Sequence, residues 1–161
     1  MQEKVLITGG TGLVGSHVTD LLKSSGYQVG ILTRGESKQK NDVSYYHWDI
    51  EKKVIDEDAI PGTSHIINLV GAGVADKRWN SERKDAILKS RTESTAFLHQ
   101  LVTSNKTPLK SFISASAVGI YGHYAGSELK KEDSSQADDF LAFVVKEWEK
   151  EAKAFATGGI R

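Results

Sequence analysis

Apolar residues fall along the chain in two alternating rhythms, short runs and helical stripes. Lys4 to Thr8 (KVLIT) is a short β-rich run ended by glycine, the mark of a strand buried on both faces. Leu13, Val14, Val18, Leu21 and Leu22 then recur at helical spacing, and Gly26 stands where a C-terminal cap belongs. Val29 to Thr33 reads as a second strand, and the aromatic and β-branched VSYYHWDI, Val43 to Ile50, as a third. Between them the polar stretch Gly35 to Asp42 reads as a surface loop. A fourth strand is expected over Ile66 to Val70, running into a glycine-bearing loop. A long helix follows from about Asn80 to Ser104, with Ile87, Phe97, Leu98, Leu101 and Val102 on its apolar side. KSFISASAVGIYG supplies a fifth strand, and a last helix starts near Asp138 and Asp139. The stripe of that helix is Phe140, Leu141, Val144, Val145, Trp148, Ala152 and Phe155, closed by Gly158 and Gly159.

Strands alternating with helices predict an α/β fold, a Rossmann-type doubly wound parallel sheet with helices on both faces. The final GGIR reads as a helix cap leading into another strand, yet the sequence stops at Arg161. The pattern is therefore expected to be truncated before its last strands, the chain being part of a longer protein.

Composition narrows the function classes. The 161 residues suffice for one domain with a sizeable core. Basic and acidic residues cancel at 21 each, which argues against a nucleic-acid binder. With no cysteine, disulfides, thiolate nucleophiles and cysteine metal sites drop out together. The five histidines, His17, His47, His65, His99 and His123, have no spacing suited to a metal, so no metal is expected. MQEK leads straight into a strand without a signal-peptide stretch, and no apolar run is long enough to span a bilayer. The expectation is a cytoplasmic protein with no membrane partner.

Gly10-x-Gly12-x-x-Gly15 directly follows a strand and opens a helix, the setting in which a glycine triplet marks a dinucleotide site. One glycine permits the tight turn, one lets the backbone approach a pyrophosphate, and one lets helix and strand pack closely. Gly9, Gly10, Thr11, Gly12, Leu13, Val14 and Gly15 are the candidate phosphate-binding residues. At the end of the second strand an NAD site usually carries Asp or Glu; here Thr33 and Arg34 stand there, with Lys38 and Lys40 beyond. A guanidinium can stack on adenine and neutralise a 2′-phosphate, which favours NADP, NAD remaining possible. A solvated basic loop is the plainer alternative. Asp49, with Ile50 beside it, can accept from the adenine amino group or simply cap a turn. Val70, Gly71 and Ala72 would lie beside the cofactor ribose.

These residues carry a family resemblance. TGGTGLVG resembles the Thr-Gly-x-x-Gly-x-x-Gly loop of the extended short-chain dehydrogenases, and SASAVGIYG resembles the serine-rich strand and Val-Tyr-Gly of that class. More narrowly, NLVGAGVADKRWNSERKDAILKSR and DDFLAFVVKEWEKEAK look like an atypical, sugar-nucleotide epimerase-like branch of the NAD-dependent epimerase/dehydratase group. The resemblance implies that residues 1–161 are the NAD(P)-binding Rossmann domain, with a C-terminal substrate-binding part absent. It also implies a small-molecule or nucleotide-sugar substrate; a homo-oligomer is a further possibility.

The parent class works through a tyrosine and a lysine four residues apart on a helix. The residues four positions after Tyr27, Tyr45, Tyr46, Tyr121 and Tyr124 are Ile31, Asp49, Ile50, Ala125 and Glu128, so no such pair exists. Where it should sit, the register offers Phe143 with Glu147, and Lys146 is one residue off. Ser114 and Ser116 are read as ending the fifth strand, near where the nicotinamide would lie. Ser116, at the position of the class serine, and Tyr121 in the adjoining loop are the candidate catalytic groups, against the alternatives of a tolerated small residue and a packed aromatic. Arg78 and Trp79, with Arg91 further on, either clamp a substrate phosphate or base, or are packing and solvated charge. Three functions compete: an NADP-dependent oxidoreductase or epimerase, a non-catalytic NADP(H) sensor, and a Rossmann domain kept as an assembly surface.

Overall fold

The computed structural model describes residues 2–122 and 136–161, so His123 and Tyr124 lie outside the described residues. Seven strands and three α-helices follow one another as β1 (Lys4–Thr8), α1 (Leu13–Ser24), β2 (Gln28–Thr33), β3 (Lys38–Lys40), β4 (Val43–Asp49), β5 (Val54–Ile55), β6 (Thr63–Asn68), α2 (Ser81–Ser104), β7 (Ser111–Ser114) and α3 (Phe140–Lys153). The sheet order is β3-β4-β2-β1-β6-β7, and β5 adds to β4. The pairs β4–β2, β2–β1, β1–β6 and β6–β7 are all parallel. The chain therefore winds outward from β1 first one way and then the other, and the two halves part at β1 and β6, the switch point where such sheets bind ligands.

Strand alternation sends Leu6, Leu32, Trp48 and Ile66 to one face, where Phe97, Leu98 and Val102 of α2 and Phe155 cover them. Val5, Ile7, Val29, Ile31 and Val43 go to the other face, under Val18 and Leu22 of α1. Lys4 breaks the apolar pattern of β1. It is 5% exposed, yet its ammonium donates to the carbonyls of Asp58, Ala59 and Pro61 at 2.8, 2.8 and 3.1 Å. A buried charge is tolerated only when its donors are satisfied, and this one staples the loop before β6 under the sheet.

Caps fix the helix ends. Gly26, at φ +83°, gives its N–H to Lys23 O while Tyr27 gives its own to Leu22 O, a Schellman closure of α1. Asn80 and Asp139 accept from the N–H groups of Arg83 and Ala142 at 2.7 and 2.9 Å, starting α2 and α3. Arg161 pairs alongside β7: Phe112 donates to its carbonyl at 2.9 Å, and its own N–H reaches Lys110 O at 3.3 Å.

Three sequence expectations are corrected. The stretch Gly35 to Asp42 is not all loop, because Lys38–Lys40 pairs antiparallel with Val43–Tyr45 through a two-residue turn. Asn41 and Asp42 hold φ of 51° and 59° there, the left-handed pair that a type I′ hairpin requires. The fourth strand is Thr63–Asn68 rather than Ile66 to Val70; Leu69 and Val70 are partly buried beyond the end of the ladder, which prolongs the apolar run past the strand. Finally, Leu13, Val14 and Leu21 are 80%, 62% and 65% exposed. The helix is rolled so that Gly15 and Thr19, with Val18 and Leu22 beside them, meet the sheet, while Leu13, Val14 and Leu21 turn outward.

Candidate dinucleotide site

The loop after β1 is shaped by main chain. Gly9 has φ +67°, and a Cβ there would stand 2.9 Å from the Leu69 carbonyl carbon. A Cβ on Gly10 would press on Ile31 at 2.8 Å, and one on Gly15 would collide with Gly9 O and lie 2.6 Å from Gly10 Cα. Gly12 instead meets only Gly9 O, at 3.3 Å, so a side chain there would project into the crevice above the sheet. Gly12 is also the N-cap of α1, with no side-chain cap and no acidic residue in the first turn. The helix thus presents its first N–H groups and the positive end of its dipole to that crevice, the arrangement that suits a phosphate. A dinucleotide fits this cradle.

A polar knot holds the cradle from below. Thr8, fully buried, donates to Asn68 Oδ1 at 2.7 Å and accepts from the N–H groups of Leu69 and Val70 at 3.0 and 3.1 Å. Asn68 Nδ2 reaches Thr95 Oγ1 at 2.9 Å and Ser114 Oγ at 3.5 Å. The C-terminal ends of β1, β6 and β7 are thereby tied to α2. Thr8, Asn68 and Thr95 were not among the residues singled out in the sequence. Thr8 opens the glycine motif, but only the pairing of β1 with β6 sets it beside Asn68.

At the end of β2, Thr33 Oγ1 accepts the Gly35 N–H at 3.1 Å, and Arg34 is exposed. Asp49 caps a turn: its Oδ1 accepts the Lys52 N–H at 3.0 Å and its Oδ2 lies 3.4 Å from Lys52 Nζ. The hydrogen bond from the Lys52 amide, with help from its ammonium, holds the Asp49 carboxyl below the usual range. Ile50 packs against the α2-side core.

The loop after β6 rests on an arginine. Arg91 donates to Ala72 O at 3.1 Å and Ile87 O at 2.9 Å, and its guanidinium lies 5.3 Å from the Trp148 ring centroid. It so closely underlies Gly71 that a Cβ there would meet Arg91 Cζ at 2.7 Å. Burial, and then the neighbouring Arg83, lower its pKa. The N–H of Ala72 is taken by Ser90 Oγ at 2.9 Å. Trp79 is not placed as a free clamp. Its indole N–H donates to Val74 O at 2.7 Å and its ring meets Phe140 edge-on at 5.4 Å, closing the loop against α3. Arg78 is exposed beside it.

Past the end of β7 a separate concavity is built from side chains. Ser114 caps β7 and hydrogen-bonds its own strand end at Ala115 O, 3.1 Å away. Ser116 donates to Glu149 Oε1 of α3 at 2.5 Å, and with Tyr121 and Gln136 these two line a concavity of about 380 Å³. Phe143, at the register where the resemblance expects the class tyrosine, is 49% exposed and has no group that can transfer a proton. Lys146 is turned away to Ala137 O, at 2.8 Å. Glu149 was missed in the sequence because nothing local links it to a serine 33 residues earlier. Among the described residues no helix is long and apolar enough to cross a membrane.

Comparison with known proteins agrees with this geometry. The family model for the NAD dependent epimerase/dehydratase family matches residues 5–140. The epimerase family protein YfhF of Bacillus subtilis is 35% identical over 98% of this chain, which covers 52% of YfhF. The chain thus spans about half the length of the curated relatives it matches. Human epimerase family protein SDR39U1, solved with NADPH, superposes with a TM-score of 0.76 at 30% identity, over 92% of this chain and 48% of that one. A nucleoside-diphosphate sugar epimerase from Corynebacterium glutamicum gives 0.78 at 36% identity, over 100% and 32%. With its glycine cradle, its switch-point crevice and a match across most of its length, this chain belongs to the NAD dependent epimerase/dehydratase family.

Proposed function

We propose that this chain is the cofactor-binding part of an NADP(H)-dependent oxidoreductase or epimerase-like enzyme. Its substrate is a small or nucleotide-linked molecule carrying a hydroxyl or carbonyl group. The observation that carries this reading is the glycine-lined crevice at the uncapped start of α1. The bound dinucleotide supplies hydride exchange. The chain's own residues bind and orient: the loop amides hold the diphosphate, the Thr8 knot fixes the loop, and Ser116 and Tyr121 face the concavity beyond it. NADP is preferred because exposed Arg34 stands where NAD sites place an acid. The NADPH of the human SDR39U1 structure supports that preference.

Calorimetric titration with NADP and NAD, on wild type and Arg34→Ala, tests the reading. Wild type should bind NADP about tenfold more tightly than NAD, and Arg34→Ala should lose that margin. Absence of binding to any dinucleotide would sink it. The exposed Phe143, at the register where the resemblance expects the class tyrosine, favours a second reading, a non-catalytic NADP(H) sensor. That reading requires a surface that differs between the NADP- and NADPH-bound forms. Amide-exchange maps identical in the two forms would remove it.

A further inference from the structure

We propose that Glu149, acting through Ser116, is the proton acceptor of this site, in place of the tyrosine–lysine pair the sequence lacks. The proposal rests on the cofactor reading above. Its basis is the 2.5 Å bond from Ser116 Oγ to Glu149 Oε1, a length typical of a hydroxyl donating to a carboxylate. Both partners sit on fixed elements. Ser116 follows the end of β7, where the Ala115 N–H still bonds Asn68 O at 3.0 Å. Glu149 belongs to the third turn of α3, a helix capped by Asp139 and anchored by buried Val144, Val145 and Trp148. The pair opens on the concavity of about 380 Å³ that Tyr121 also lines, on the β7 side of the switch point.

Ser116 is exposed and Glu149 half-buried, so the bonded pair is open to a molecule entering the concavity. Here the bond joins the first loop residues beyond the sheet to the helix that should carry the class's proton donor. When a substrate hydroxyl is oxidised, its proton passes to Ser116 Oγ as the Ser116 proton passes to Glu149 Oε1. A bound oxidised nicotinamide cofactor would take the hydride, so that the carbonyl forms while Glu149 holds the proton as a neutral carboxyl. Reduction runs the same path backwards. Glu149 touches neither substrate nor cofactor in this scheme; it positions and discharges Ser116, the catalytic residue.

The test needs no substrate: in this scheme the Glu149 carboxylate lies close enough to a bound oxidised nicotinamide to sense its positive charge. Calorimetry of the full chain at pH 7 should show Glu149→Gln weakening NADP relative to NADPH by about fivefold, with Glu149→Asp restoring most of the ratio. A ratio unchanged in Glu149→Gln would overturn the role of Glu149 and leave the cofactor reading standing. If wild type binds neither form, the cofactor reading fails and this inference with it.

Discussion

The two ends of the site are made of different material. At the β1–α1 end, backbone sets the shape: Gly9, Gly10 and Gly15 stand where a Cβ would strike a neighbour, and the ligand groups on offer are amide N–H donors. At the β7–α3 end, side chains set it, through a serine and a glutamate that meet only because two distant elements pack together. Main-chain recognition tolerates almost no change in residue type but is indifferent to what chemistry follows. Side-chain recognition can be rewritten one residue at a time. That difference lets the glycine loop keep the pattern of its family in a chain whose sequence holds no Tyr-x-x-x-Lys pair.

The sharpest way to break the contrast is Gly15→Ala. Alanine would gain up to about 1 kcal/mol as a helix residue. Against this, its Cβ would be driven into Gly9 O and to 2.6 Å from Gly10 Cα, which are backbone atoms with nowhere to go. The clash should win, costing about 4 kcal/mol in urea unfolding and weakening NADPH at least tenfold by calorimetry. A variant as stable as wild type would mean that the loop end is not shaped by its main chain. Thr8→Val comes next. It removes the acceptor of two amides and the donor to Asn68 at a fully buried site, and should cost about 2–3 kcal/mol. Because the same knot reaches Ser114, both ends should loosen together, seen as faster amide exchange at Val70 and at Ala115. Exchange confined to one of them would show that the ends are mechanically separate.

Sequence patterns foresaw the two ends unequally. The strand, glycine loop and helix of the first end are local, so spacing and glycine conformation expose them. Even there the roll of α1 was misread, because periodicity sees Leu13, Val14 and Leu21 as a face, whereas packing obeys the close approach of Gly15. The Asn41–Asp42 turn had a legible signal, two residues tolerant of left-handed backbone between polar and β-rich stretches, which reading the segment as loop passed over. For Ser116 with Glu149 no one-dimensional signal existed. Position in the family motif marks the serine, but its partner comes from three-dimensional packing of α3.

Asp139→Ala sharpens the comparison from the far end. Losing the bond to the Ala142 N–H should cost about 1 kcal/mol of stability. It frays the start of α3, so the Ser116–Glu149 bond should weaken, visible as a changed Glu149 side-chain carbon resonance at pH 7. NADPH affinity, read at the other end, should stay within about twofold. A larger loss would place α3 among the elements that hold the diphosphate.

The smallest effect should come from the opposite rim of the sheet, which serves neither end. Glu3 bonds Lys110 Nζ and lies 2.9 Å from His65 Nε2, and the Lys110 side chain, then His65, hold its pKa below the ordinary 4.5. A depressed carboxyl contributes stability above its unfolded value and loses it as pH falls through the folded one. The contribution is therefore whole at pH 6 and fades below 4.5, and exposure to solvent keeps it small. In urea titrations from pH 6 down to pH 3, Lys110→Met should flatten that part of the decline and leave NADPH affinity at pH 7 untouched. Parallel declines in wild type and variant would show that Lys110 is not what holds Glu3 ionised. A change in cofactor affinity would mean that this rim, too, is coupled to the crevice across the length of β6 and β7.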